Sequence, residues 1–289
     1  MPFATDRVDP SSLVSSRERR YFVVSAIVSA AFMALIGLLL FSSAEIRPLA
    51  FTYLVLGIVF FTLVHGLLIG HLRGNAVRVS AHQFPMLHGM LMSHAGRLGL
   101  ATVPDAFVLQ SGGVLNAFAT RFLGRDFVVI YTDILEIAMA DGAEAVSFIV
   151  AHELGHVVRK HMTWRLLLAP ASFVPFLGAA YSRGCEYTCD RIGMACAPDG
   201  GIRGLLVLAS GKSLYREVDA RVFARQSVTE SGFWTRFAEL LSSHPTLSKR
   251  VDALVSAGAA IPAPVRAGAG AERLSVALAD RAVVPASLG

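Results

Sequence analysis

From Tyr21 to Phe41 the chain reads YFVVSAIVSAAFMALIGLLLF, without a single charge. A helix of about 20 such residues spans the hydrocarbon core of a bilayer. A second run, Ala50 to Gly70, is interrupted only by His65 and follows a short connection, SSAEIRPL. Together residues 21–70 predict a transmembrane helical hairpin. The composition agrees, because 54% hydrophobic and 16% charged residues are too apolar for an ordinary soluble domain. A cleaved signal peptide fits poorly: the first run is too long for a signal core, and no small-x-small pattern precedes Arg47. Arg7, Arg17, Arg19 and Arg20 precede the hairpin, Arg73 and Arg78 follow it, and Arg47 lies in its turn. That bias predicts an integral protein of the cell membrane with both long ends cytoplasmic.

A formal charge of +5 could suggest nucleic acid, but the arginines are scattered and form no basic stripe. No nucleic-acid partner is expected. Cys185, Cys189 and Cys196 are odd in number, which suits a reducing compartment better than a disulfide framework. The chain divides into a cytoplasmic lead-in (1–20), the hairpin (21–70), one mixed domain (71–256) and an Ala/Gly/Pro-rich tail (257–289) with at most a short helix at 272–281. Apolar spacing predicts a helix over Ala81 to Leu98, and Phe107–Gln110 and Phe127–Tyr131 read as strands. Leu205 to Leu241 reads as largely helical, with Arg216, Glu217, Asp219 and Arg221 as a solvated stretch. The fold class is therefore α+β, mainly α, with a small sheet. His82, His88 and His94 recur every six residues, share no helix face, and receive no metal role. His65, near a helix end, is expected to reach the membrane interface.

The segment that carries chemistry begins at Asp141, a candidate N-cap with Glu144 three residues on, before AVSFIVAHELGHVVRKH. Residues four apart share a helix face, so His152 and His156 can hold one zinc ion from the same side. Glu153, next to them, can take a proton from an attacking water and pass it to a leaving amine. H-E-x-x-H arises by chance in roughly one such chain per hundred, so its helical context matters. His161 comes five residues after His156, one short of metzincin spacing, and Arg159 stands in place of their glycine. It reads as a surface or outer histidine. Downstream, Glu186 and Asp190 are again four apart on a probable helix. One carboxylate could bind the metal while the other orients a histidine; equally, the two could be solvated and paired with Arg183 and Arg191.

Four signatures then give a resemblance over roughly Pro104 to Leu254: NAFAT at Asn116 to Thr120, AHELGH at Ala151 to His156, the Glu186/Asp190 pair, and SHPTLSKRV at Ser243 to Val251. The chain resembles the HtpX-like membrane metalloproteases, gluzincins related to the CAAX prenyl endopeptidases. The resemblance implies a zincin-like domain that hydrolyses peptide bonds with one zinc ion per chain. It implies His152, His156 and Glu186 as zinc ligands, Glu153 as general base, and Asp190 outside the ligands. Asn116, Ala117 and Phe118 would form an edge strand that pairs with substrate backbone. The H-P-x-L-x-x-R segment lies near the metal in this family. There His244 is expected to stabilise the developing oxyanion and Arg250 to pair with an inner carboxylate, against the plainer reading of a helix cap beside Pro245.

The chain departs from the family pattern at Arg121, where a glycine commonly follows NAFAT, and at Cys189, a usually small position. Thiolates bind zinc well, yet buried packing is the more ordinary role for Cys185 and Cys189. Leu166 to Tyr181 holds Pro170 and Pro175 and is too short to cross a bilayer twice between two ligands of one ion. It is expected to be buried or interfacial. Expected partners are polypeptides, membrane proteins among them, and the lipid bilayer. A prenyl-protein endopeptidase needs a larger multi-span chamber than 289 residues offer. A non-hydrolytic metal-bearing scaffold or chaperone would have no use for Glu153.

Overall fold

The computed structural model describes residues 7–110, 117–137 and 142–262. Asn116, Asp141 and the tail from 263 onward, with its expected helix at 272–281, lie outside them. Two helices open the chain, α1 (Ser16–Ser42) and α2 (Ile46–Asn75), both long and apolar enough to cross a membrane. Each outlasts its uncharged run, because polar residues extend the hydrogen-bonded ladder at the ends. Ser15 caps α1, its hydroxyl accepting from the Arg17 N–H. Leu38, Phe41, Phe60 and Leu67 stay exposed along the two helices. Helices apolar all round suit lipid.

A four-stranded sheet follows, made of β1 (Val77–Arg78), β2 (Asp105–Leu109), β3 (Ala117–Phe122) and β4 (Arg125–Tyr131). Its order is β1-β2-β4-β3, with β2 parallel to β4 and the other pairs antiparallel. Helix α3 (Pro85–Arg97) precedes β2; it begins at Pro85 rather than Ala81, a proline being well suited to a first helical position. Along β4, Val128 and Ile130 join the main core with residues of α3 and of α5 (Ala143–Val158). The alternate residues Phe127 and Val129 join Phe107 against Ile69 and Leu72 of α2. This period-two division buries both faces, which is why β4 reads as a continuous apolar run. The end of the second apolar helix therefore covers the sheet.

Helix α4 (Thr132–Ile137) leads toward α5, which packs against α7 (Leu177–Cys196), and α1 packs on α7 in turn. Between them come α6 (His161–Leu167) and a 3-10 turn, Ala169–Phe173, that rests on α1, the Ala171 N–H donating to Ser29 Oγ at 3.1 Å. The stretch expected to be largely helical forms α8 (Gly201–Leu214), α9 (Ala220–Thr229) and α10 (Phe233–Leu241). Helix α11 (Leu247–Ser256) closes against α8 and α9. The architecture is α+β and mainly α: two N-terminal apolar helices, then a domain with a small sheet.

Candidate metal centre

Helix α5 turns His152 and His156 to one side, and α7 brings Glu186 to meet them. His152 Nε2 lies 3.5 Å from Glu186 Oε2, and His156 Nε2 lies 3.3 Å from Oε1. These three side chains form a group that could hold a metal ion. Their separations match the edge of about 3.3 Å of a tetrahedron around an ion with bonds of about 2.0–2.1 Å. The donor set fits a divalent cation. The two helices approach this closely because residue 155 is glycine: a Cβ there would sit 3.2 Å from Cys189 Sγ.

Around the three lies a shell of charge. Asp190 Oδ1 is 3.0 Å from His152 Nδ1, so a proton on Nδ1 is held there and Nε2 is left to face Glu186. Arg250 grips Asp190 with two bonds, Nη2 to Oδ1 at 2.6 Å and Nε to Oδ2 at 2.8 Å, and sets Nη1 3.1 Å from Glu186 Oε2. Burial would raise the Glu186 carboxyl, but the Arg250 charge and hydrogen bonds from His152, His156 and His244 hold it well below the carboxylate range. Burial would lower His152, yet its bonds to Asp190 and Glu186 carry it up to about 9. The alternative of a solvated pair on α7 does not describe these carboxylates. Both are buried, and Arg183 instead donates to backbone carbonyls of Glu239, Leu240 and Ser242.

Glu153 is buried and lines a cavity of about 80 Å³ with His152, His156, Glu186, Ala117 and His244. His244 Nδ1 reaches 3.1 Å from Glu186 Oε2 although most of the side chain is exposed. It does not cap α11, whose N-cap residue is Thr246. Ala117 opens β3, the last strand in the sheet order, and pairs with Ile130 of β4. Phe118 stands opposite Val129 and against the Tyr131 ring. Arg121 pairs across the strands with Asp126 at 3.2 Å, which accounts for a charged residue at that strand end.

Of the two readings of His161, surface or outer histidine, the structure supports the second: it is buried beside His156. Helix α5 ends at Val158, and Lys160, with φ 56°, turns the chain back. That turn sets His161 Nδ1 3.0 Å from His156 Nδ1, with Nε2 3.4 Å from Glu18 Oε1. Glu18, at the head of α1, also meets Arg159 at 3.1 Å. Sequence reasoning missed Glu18. The one available signal was a lone acid among Arg17, Arg19 and Arg20 at the foot of an apolar helix. Two further groups include thiols, His156 with His161 and Cys189, and Glu18 with His161 and Cys185. Burial pushes both thiols up.

A helix-borne histidine pair, a carboxylate from a second helix and a small sheet beside them describe a metallopeptidase. The profile of Peptidase family M48 matches residues 81–174 and 166–257, more than half of the chain, and the protein belongs to that family. Its members are metal-dependent peptide hydrolases. No curated protein and no solved structure matched the chain.

Proposed function

We propose that the protein is an HtpX-like integral membrane endopeptidase whose metal is zinc, held by His152, His156 and Glu186. The observation that carries the reading is one cavity lined by all three donors and by Glu153. Two imidazoles and one carboxylate with room for a further small ligand is the donor set of catalytic zinc sites, whereas structural sites close with a fourth protein ligand. Zinc there supplies Lewis acidity, making water easier to deprotonate and a peptide carbonyl easier to attack.

The residues do the rest. Glu153 accepts the proton of the attacking water and returns it to the leaving amine. Asp190 orients His152, and Arg250 neutralises the two inner carboxylates so that they can lie together in a buried site. His244 donates to the oxyanion as it develops. Strand β3 ends the sheet, and its residues Ala117, which lines the cavity, and Phe118 align an extended substrate. Polypeptides anchored in or on the membrane are the proposed substrates, with the 71–256 domain on the cytoplasmic side.

The test compares wild type with Glu153→Gln in detergent, at equal zinc content, on an unfolded membrane protein and on the chain itself. Cleavage should fall by about 10²–10⁴-fold in the variant and vanish with chelator. Equal zinc with no cleavage by either protein, across substrates and detergents, would favour a metal-bearing scaffold.

A further inference from the structure

Helix α10 turns Phe233, Trp234, Phe237, Leu240 and Leu241 outward and buries none of its residues. Trp234 is 77% exposed, and its ring packs edge-on against Phe233 and Phe237. The end of α6 and the segment after it expose Leu166, Leu167, Val174 and Phe176 as well, and Phe173 is 76% exposed. Large apolar side chains exposed in such number mark an interaction site.

The fold gives the depth at which these residues lie. Helix α7 runs antiparallel to α1: the Ser15 N–H donates to Thr188 Oγ1, Gly184 abuts Glu18, and Tyr181 packs with Phe22. The level of Arg183 on α7 is therefore the start of the α1 apolar run, where a bilayer's headgroups would lie. Arg183 binds the carbonyls at the end of α10, so that end of the helix sits near this level. Farther along, Ser29 Oγ contacts the backbone of Leu168 and Ala171, and Phe173 stacks on Phe32 with centroids 5.2 Å apart. Phe32 is eleven residues beyond Tyr21, roughly 16 Å along the helix and about half of a bilayer core. If α1 spans a membrane, Phe173 lies at acyl-chain depth.

Resting on the reading that α1 and α2 cross a bilayer, we propose that α10 and the Leu166–Phe176 segment form a second membrane contact of the domain. In this arrangement α10 lies flat among the lipid headgroups and Phe173 reaches the acyl chains. The occupant of this surface is lipid, because the surface is continuous with the lipid-facing side of α1. The side chains also suit that boundary, with aromatic residues and the exposed Arg165 and Arg236 at headgroup level. A cavity of about 490 Å³ lies between the two parts, lined by Ser25, Leu168, Phe176, Tyr181, Leu241 and Ser243. Ser243 adjoins His244, so this contact would hold the metal centre just above the membrane surface.

The chain's two tryptophans, Trp164 and Trp234, allow a direct test. The full chain is reconstituted in phosphatidylcholine vesicles brominated at shallow or deep acyl positions, with iodide as the aqueous quencher. Trp164→Phe leaves Trp234 as the only indole. Phe173→Trp and Phe60→Trp, each with both native tryptophans changed to Phe, report the deep segment and α2. Expected is at least a twofold intensity loss for Trp234 with shallow bromines and for Phe173→Trp with deep bromines, with iodide weak on both. Quenching of Phe60→Trp by lipid, while either reporter responds to iodide instead, would overturn the proposal and leave the spans intact. Absence of lipid quenching at Phe60→Trp would sink the spans, and the proposal with them; the Glu153→Gln assay is independent of both.

Discussion

The two ring nitrogens of His156 have different neighbours, and the difference makes a prediction. Nε2 faces Glu186 at 3.3 Å and Nδ1 faces His161 Nδ1 at 3.0 Å. For Nε2 to offer its lone pair to a metal, Nδ1 must carry the proton and donate it to His161. His161 then keeps its own proton on Nε2, toward Glu18. Replacing His161 by Phe should weaken cobalt or zinc binding by about 10–100-fold, measured by competition with a chromogenic chelator, and Glu18→Gln should weaken it less. Wild-type affinity in His161→Phe would remove this role. His94 makes a separate prediction. It is buried, its Nε2 lies 2.8 Å from Ser147 Oγ, and Nδ1 has no partner among the described residues. Burial, with a smaller contribution from Arg97, lowers its pKa to about 4. Between that value and the unfolded value of about 6.5 the unfolded chain binds the proton that the folded chain refuses. The stability from neutral His94 is thus fully present above pH 6.5 and is lost as pH falls toward 4. By pH 5 the loss is about 2 kcal/mol, or about 4–8 °C in Tm for a domain of this size. Tm measured across this range should fall less steeply in His94→Leu; identical slopes would show that His94 does not titrate this way.

Among the elements, the contact of α1 with α7 is sensitive to a single substitution. A Cβ on Gly184 would lie 2.7 Å from both Cα and N of Glu18, and backbone cannot swing aside as a long side chain can. Gly184→Ala should push α1 off α7 at a cost of about 1–3 kcal/mol, read as a Tm drop of several degrees in detergent. It should also disturb the Glu18–Arg159 and Glu18–His161 contacts that α1 brings to the site. An unchanged Tm would mean the helices already tolerate the extra methyl. This contact also shows where the sequence was readable. Helix α5, with its histidines on one face, and strands β2 and β4 were legible because each pattern is local: period four on a helix, β-rich runs for a sheet. Glu186 and Asp190 were legible as a pair but not as buried, since their burial depends on where α7 docks. For His161 the sequence left surface and outer positions open, because its place is set by the Lys160 turn rather than by helical spacing. Glu18 was invisible for the same kind of reason: an uncharged run reveals that a helix exists, but not which helix its first turn will meet.

At the scale of the whole molecule, the two apolar helices are anchored to the domain at different places, α1 to α7 and α2 to the inner side chains of the sheet. Their connection, residues 43–45, lies well away in sequence from both anchors. If each helix crosses a membrane once, as proposed, that connection and the domain lie on opposite sides. The proposed cytoplasmic side rests on the arginines: six flank the domain side of the hairpin, and Arg47 alone stands at the turn. Cys185, Cys189 and Cys196 are free and buried, so an introduced surface cysteine becomes the reactive one. Ala44→Cys and Thr229→Cys place a thiol at the exposed turn and at the exposed end of α9. With a membrane-impermeant maleimide on intact cells, Ala44→Cys should label directly and Thr229→Cys only after lysis. The reverse pattern would place the domain outside the cell and overturn the cytoplasmic assignment. Labelling of both positions in intact cells would mean that the apolar helices do not separate them, and the two-span reading would fail.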